Sequence, residues 1–195
     1  MTTPRDLMIA AMDAAPGRPV EPGDLSLALA GAELTDLLAA GTVTLDGDRI
    51  VPDGRPAVAD RVLDQAAQSL TREAPYESVT DWLWRRGRGL AAVYLAALEA
   101  DGQLTRHRRR LPFRTERTVP TDSPGRRFAA DEPVLAALAT AVGIRDDEPA
   151  EASGAFDDAV ETVLAAVGDA LMDLEAVRQR RAIEQAAFDN VWRGF

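Results

Sequence analysis

The stretch Leu90–Ala100 reads LAAVYLAALEA, and its composition indicates the fold class. Alanine and leucine favour the α-helix, and a run that is apolar on nearly every side is typical of a buried helix. Gly89 precedes the run, and Asp101-Gly102 ends it. We therefore expect a central helix here, with the rest of the chain packed around it.

Towards the N-terminus, hydrophobic spacing predicts more helices. One begins at Thr3-Pro4, a second runs from Ser26 to Ala40 and ends at Gly41, and a third runs from Val58 to Arg72. A short helix follows Ser78. Of its two tryptophans, which cannot share a helical face, we expect Trp82 in the core and Trp84 partly exposed.

Two β-hairpins interrupt the helical pattern. The first pairs Thr42–Leu45 with Arg49–Val51 across Asp46-Gly47, a strong turn signal. The second is rich in arginine and spans Gln103–Val119. Near its tip, basic residues flank an apolar pair, which suits either contact with a membrane surface or self-association into a homo-oligomer. The residues concerned are Arg108, Arg109, Arg110, Leu111 and Phe113.

From Pro120 onward the chain is predicted to be helical again, through Pro133–Gly143, and then to form a polar loop at Arg145–Ser153. Two closing helices, Ala155–Leu171 and Glu175–Trp192, complete the chain. The predicted fold class is mainly α: a single helical domain over residues 1–195, with about eight or nine helices around a central bundle and two short hairpins.

Several function classes are excluded by missing residues. Without cysteine there is no disulfide, thiolate nucleophile or cysteine zinc site. The single histidine, His107, lacks the partners of a triad or metal site, and no P-loop, GxGxxG or GxSxG motif occurs. We therefore expect no enzymatic activity, catalytic residue, metal or cofactor.

The apolar runs near Leu90–Leu98 and Val134–Ile144 fall short of the roughly 20 residues that span a bilayer. Met1–Asp13 lacks the pattern of a signal peptide. We expect a cytoplasmic protein, at most peripheral on the inner face of the cell membrane.

Charge is unevenly distributed along the chain. The net charge is −10, yet the segment from Arg85 to Arg127 holds 11 arginines against four acids, a local balance of +7 (11 minus 4). An acidic body argues against general affinity for nucleic acid, whereas one basic strip indicates an anionic partner there.

The strip begins with Arg85-Arg86-Gly87-Arg88-Gly89, at the start of the predicted central helix. Guanidinium groups bind phosphates, a helix N-terminus adds backbone donors, and glycines allow close approach. We therefore predict an anionic head-group site; Trp84 would flank it. Alternatively, these arginines pair with acids of the body. The predicted site residues are Arg85, Arg86, Arg88 and Trp84.

Four stretches, in order, resemble the Golgi phosphoprotein 3 family. They are LTDLLAAGTVTL at 34–45, VLDQA at 62–66, SVTDWL at 78–83 and LAALEADGQLT at 95–105. All 22 basic residues are arginine, which with the abundant alanine suggests a bacterial, actinobacterial member. The resemblance implies a mostly helical fold and peripheral binding of phosphatidylinositol 4-phosphate, with protein partners such as glycosyltransferase tails and a vesicle coat.

The family's head-group pocket uses one tryptophan and three arginines. Their positions correspond here to Glu21, Ala30, Arg88 and Ala91, so only Arg88 is kept. The resemblance therefore predicts a non-enzymatic peripheral adaptor for an anionic phospholipid, and supports the fold more strongly than the exact lipid. Two alternatives stay open. One is a winged-helix-like DNA-binding regulator, because two helices precede a hairpin and the arginine-rich second hairpin could dock DNA. The other is a protein-interaction scaffold without lipid.

Overall fold

The computed structural model describes residues 2–14, 20–53, 59–107, 117–120, 132–145 and 156–193. Within these ranges the chain forms seven helices and two two-stranded antiparallel sheets, which confirms the mainly α prediction. In chain order the elements are α1 (Thr3–Asp13), α2 (Pro22–Ala39), β1 (Val43–Asp46), β2 (Arg49–Pro52), α3 (Arg61–Gln68), α4 (Val79–Arg86), α5 (Leu90–Ala100), β3 (Leu104–His107), β4 (Arg117–Pro120), α6 (Pro133–Ala141) and α7 (Asp158–Arg193).

Both predicted hairpins are present. In the first, Leu45 lies opposite Ile50, and Gly47 takes a φ of 59°, which suits glycine in a tight turn. In the second, Leu104 lies opposite Pro120, which confirms the pairing at its base. The predicted tip falls outside the described residues, as does most of the predicted polar loop.

The central helix is α2 and not α5. Helix α2 contacts all six other helices and buries side chains around its whole circumference, including Leu29, Leu34 and Leu37. Helix α5 buries Tyr94 and Leu98 but leaves Val93 exposed at 42%. The prediction that α5 is central was wrong because much of the apolar character of α5 comes from alanine, which is tolerated equally well on a solvent-facing side.

Several predicted helix boundaries were wrong: α2 begins at Pro22 and not at Ser26, and α3 ends at Gln68 and not at Arg72. Helix α3 starts later than Val58, because the Asp60 carboxylate accepts hydrogen bonds from the N–H groups of Val62 and Leu63 and fixes the first turn there. The two predicted closing helices are one continuous helix of 36 residues, α7. No proline or glycine separates Leu171 from Glu175, so nothing breaks the backbone.

Tight packing joins α2 to α7. Gly31 of α2 lies where a Cβ atom would come within 2.5 Å of Val167 Cγ2. Val163, Val167 and Ala170 of α7 are buried against the core. Beyond Ala170, α7 buries no further side chain among those described. The first part of α7 therefore belongs to the body, and the remainder extends along its surface and away from it.

Candidate functional site

The predicted head-group site lies at the joint between α4 and α5. Ser78 caps α4: its hydroxyl accepts from the Asp81 N–H at 3.0 Å and donates to the Asp81 carboxylate at 2.8 Å. The short helix ends at Arg86, and Gly89 caps α5 with a φ of 70°, in the region that favours glycine. These local preferences place three arginines at a single turn.

The joint is packed closely against the start of α2. A Cβ atom on Gly87 would lie 2.6 Å from the Leu83 carbonyl oxygen and 3.3 Å from that of Ser26, so only glycine fits. The Ser26 hydroxyl accepts from the Ala91 N–H at 3.1 Å. The sequence predicted that backbone N–H groups at this helix start would face an anion, but the Ala91 N–H is bonded within the protein. Anion binding at this end of α5 therefore depends on arginine side chains.

Arg85 is held by an acid of the body. Its Nε and Nη2 donate to the two carboxylate oxygens of Glu77 at 2.6 and 2.7 Å, and Nη2 also donates to the Ser69 carbonyl at 3.2 Å. Its guanidinium carbon lies 5.2 Å from the centre of the Trp82 ring, at cation–π distance. The Arg85 side chain keeps 44% exposure, but its charge is already paired.

Arg86 is held more firmly still. Its Nε and Nη2 donate to the two oxygens of Glu33 at 2.7 and 2.8 Å, and the Glu33 side chain has no exposed surface. The Tyr94 hydroxyl donates to the same carboxylate at 3.0 Å. Burial raises the pKa of Glu33, while Arg86 and Tyr94 oppose that rise. The Glu33–Arg86–Tyr94 network thus ties α2, α4 and α5 together inside the protein.

Arg88 differs from both neighbours. It is exposed, and it forms no hydrogen bond or ion pair with any residue that the structure describes. It sits one residue before the α5 N-cap, where the helix dipole favours a bound anion. Of the three predicted arginines, Arg88 alone is available in this way.

The tryptophans lie as predicted. Trp82 is fully buried and donates its indole N–H to the Ala30 carbonyl at 3.1 Å. Trp84 is half-buried and packs against the core, on the helix that carries the arginines. The hairpin residues Arg108–Arg110, Leu111 and Phe113 lie outside the described residues.

The remaining family pocket positions are unsuited to phosphate. Glu21 is exposed and acidic, Ala30 is fully buried, and the backbone N–H of Ala91 is already bonded. Next to Glu21, Asp24 accepts from Arg178 of α7 at 2.7 and 3.0 Å, an ion pair that sequence reasoning missed. Of the four positions that correspond to the family pocket, only Arg88 carries a charge that attracts phosphate.

Sequence reasoning also missed the buried carboxylates. Glu33 lies between Ala32 and Leu34 in a largely apolar helix, and an acid in such a position is a signal of a buried partner. A second network joins Arg5 of α1 to Asp60 and, at 2.7 Å, to Asp101. Both networks hold the helices together.

Helix α2 could not serve as a recognition helix for DNA. It precedes the first hairpin, as a recognition helix precedes a wing, but it carries no basic residue and is buried from Leu25 to Thr35. Docking of DNA through the arginine-rich second hairpin, the other part of the winged-helix hypothesis, concerns a tip that lies outside the described residues.

The fold defines a mainly α-helical protein assembled around α2. In the described part, no group of acidic or histidine side chains is arranged to hold a metal, and no helix has the length and apolarity to cross a membrane. The family model for Golgi phosphoprotein 3 matches residues 4–191, and the chain therefore belongs to the Golgi phosphoprotein 3 family. No curated protein matches it significantly.

Proposed function

We propose that this protein is a non-enzymatic peripheral adaptor, cytoplasmic in location, that binds an anionic phospholipid head group at a membrane surface. By its family, the head group is phosphatidylinositol 4-phosphate. Family membership supports the lipid class. The observation that carries the site is Arg88: an exposed arginine at the start of a helix, with no partner among the described residues.

The proposed head-group contact involves fewer arginines than the cluster predicted from sequence. The guanidinium of Arg86 is paired with the buried carboxylate of Glu33, and that of Arg85 is paired with Glu77. Arg85 remains 44% exposed, but Glu77 already pairs its charge, so it contributes little positive potential beside Arg88. A single free arginine predicts weak binding, of the kind that needs a second membrane contact. The arginine-rich second hairpin supplies that contact in the proposal.

The function class is tested by a binding comparison at two salt concentrations. Vesicles of phosphatidylcholine alone, with phosphatidylinositol, and with phosphatidylinositol 4-phosphate are compared with duplex DNA. The expected order is strongest binding to the 4-phosphate vesicles, with none to phosphatidylcholine. Equal binding to all vesicles would refute head-group recognition. Stronger binding to DNA, with a steep salt dependence, would support the regulator hypothesis instead.

A further inference from the structure

The turn that presents Arg88 touches one residue of α2 on both of its sides. Before Arg88, a Cβ atom on Gly87 would lie 3.3 Å from the Ser26 carbonyl oxygen. After Arg88, the Ala91 N–H donates to the Ser26 hydroxyl at 3.1 Å. Ser26 itself is buried, with 3% of its surface exposed, whereas Arg88 is exposed. A single buried serine therefore borders both ends of the turn.

The Ser26 hydroxyl is held by two hydrogen bonds. It donates to the Pro22 carbonyl at 2.7 Å, and the same oxygen accepts from the Ala91 N–H. Ala91 is the second residue of α5, and the first N–H groups of a helix have no acceptor within that helix. The N-cap of α5 is Gly89, which has no side chain to accept them. Ser26 therefore provides, from α2, the cap that α5 cannot provide for itself.

The first turn of α2 is fixed from its other side by α7. Asp24 accepts two hydrogen bonds from Arg178, at 2.7 and 3.0 Å. A Cβ atom on Gly23 would lie 3.1 Å from Leu174 Cδ2, so the two helices are in close contact here. Ser26 thus stands on a part of α2 that is anchored to the body, and its hydrogen bond fixes the start of α5 relative to that part.

We propose, on the basis of the head-group function proposed for Arg88, that Ser26 is a positioning residue. Its hydroxyl holds the first turn of α5, so that the backbone presents Arg88 to the ligand in one orientation. A long arginine side chain is flexible, and a binding residue is precise only when its support is fixed. The hydroxyl also occupies the Ala91 N–H, so this donor is not available to an anion and the guanidinium makes the contact.

Vesicle binding by Ser26→Ala tests the proposal. This variant removes only the hydroxyl oxygen, and its affinity for vesicles with phosphatidylinositol 4-phosphate should fall roughly fivefold, as expected for a coupling of about 1 kcal/mol between neighbouring residues. The matched control is Ser78→Ala, which removes the capping hydroxyl at the far end of α4. In urea unfolding the control should lose similar stability, yet it should keep the wild-type affinity. Equal losses of affinity would reduce Ser26 to a purely structural residue and overturn the proposal.

Combination with Arg88→Glu separates the role of Ser26 from the function proposed for Arg88. In the Arg88→Glu background, Ser26→Ala should not weaken vesicle binding further, because Arg88 is the residue that Ser26 positions. If Arg88→Glu binds like the wild type, the proposed function is wrong and the role of Ser26 is wrong with it. If Arg88→Glu weakens binding and Ser26→Ala does not, the proposed function stands and only the role of Ser26 is refuted. Tighter binding by Ser26→Ala would also refute it, because the hydroxyl would then compete with the anion for the Ala91 N–H.

Amide hydrogen exchange of the wild-type protein tests the supporting hydrogen bond without lipid. The reference is the Gly23 N–H, at the second position of α2, where no side chain caps the helix. The Ala91 N–H should exchange at least roughly tenfold more slowly than this reference, the effect of a hydrogen bond worth about 1.4 kcal/mol. In Ser26→Ala this protection should be lost. Exchange of the Ala91 N–H as fast as that of Gly23 in the wild type would contradict the proposal.

Discussion

Glu33 and Arg86 form a two-point ion pair inside the protein, although Glu33 stands in an apolar helix and Arg86 in a basic surface motif. The Glu33 side chain is fully buried, and the two hydrogen bonds measure 2.7 and 2.8 Å. The pair joins α2 to the end of α4. It thereby positions the turn that presents Arg88, so a structural ion pair supports the proposed binding residue.

Replacing Arg86 should destabilise the fold. Arg86→Met leaves Glu33 buried without its cation, and breaking a buried pair costs about 3–5 kcal/mol. We expect about 3 kcal/mol, the lower end of that range, because Tyr94 still donates to the carboxylate. Urea unfolding at neutral pH measures the loss.

Two comparisons sharpen this test. Arg85→Met removes a pair that is 44% exposed, so it should cost under about 1 kcal/mol. Burial raises the pKa of Glu33, so in the Arg86→Met variant the deficit should shrink as the pH falls and Glu33 takes up a proton. A loss of unfolding free energy in Arg86→Met that is as small as that of Arg85→Met would mean that Arg86 is not a structural residue.

A second prediction concerns acid stability. Burial opposes ionisation of Asp60, but hydrogen bonds from the Leu63 N–H and from Arg5 outweigh it and lower its pKa. Asp60 therefore contributes fully to the free energy of unfolding at pH values above the ordinary aspartate pKa of about 3.9. This contribution is lost as the pH falls through the lower pKa that Asp60 has in the folded protein.

Asp60→Asn keeps a residue that can cap α3 and removes the charge. At pH 7 the expected loss is about 1.5–3 kcal/mol, the range for a hydrogen bond to a charged group. The variant's stability should also fall less than that of the wild type between pH 5 and the acid limit, measured by urea unfolding across that range. Parallel pH profiles for the two proteins would contradict the role assigned to Asp60.

The crossing of α2 and α7 gives a third prediction. Gly31→Ala should destabilise by about 1–3 kcal/mol, although alanine favours helix, because its Cβ would meet Val167 Cγ2 at 2.5 Å. Adding Val167→Ala makes room, so the double variant should recover at least about 1 kcal/mol relative to the sum of the single changes. Thermal unfolding of the four proteins completes the cycle. Strictly additive effects would rule out the contact.

The sequence predicted the fold class and both hairpins because these depend on local signals, such as Asp46-Gly47 and the spacing of Val62, Leu63 and Ala66. It did not predict that α2 is central, since burial of an alanine-rich helix is decided by its neighbours. Arg85, Arg86 and Arg88 were predicted to form one site because they are neighbours along the chain, which a sequence shows directly. A sequence does not show that Arg86 pairs with Glu33, 53 residues away.

A fourth prediction rests on the sequence of the second hairpin, whose tip lies outside the described residues. Burying Phe113 in a bilayer would contribute roughly 1.5–3 kcal/mol. Phe113→Asp should therefore weaken binding to anionic vesicles by roughly 10- to 100-fold, with little effect on duplex DNA. Co-sedimentation and DNA titration measure the two. Unchanged vesicle binding removes the insertion hypothesis, and a change in mass by light scattering favours self-association through the hairpin.

The proposed head-group binding depends most on Arg88, and charge reversal at this residue tests it directly. The measurement is the affinity of Arg88→Glu for vesicles containing phosphatidylinositol 4-phosphate, beside a matched control, Arg72→Glu, at another exposed arginine. At roughly 1 kcal/mol per charge near an anionic surface, reversal at Arg88 should weaken binding roughly 30-fold. The control should change it only slightly, and both proteins should unfold like the wild type. Equal binding by the two variants would contradict the assignment of Arg88 as the head-group contact.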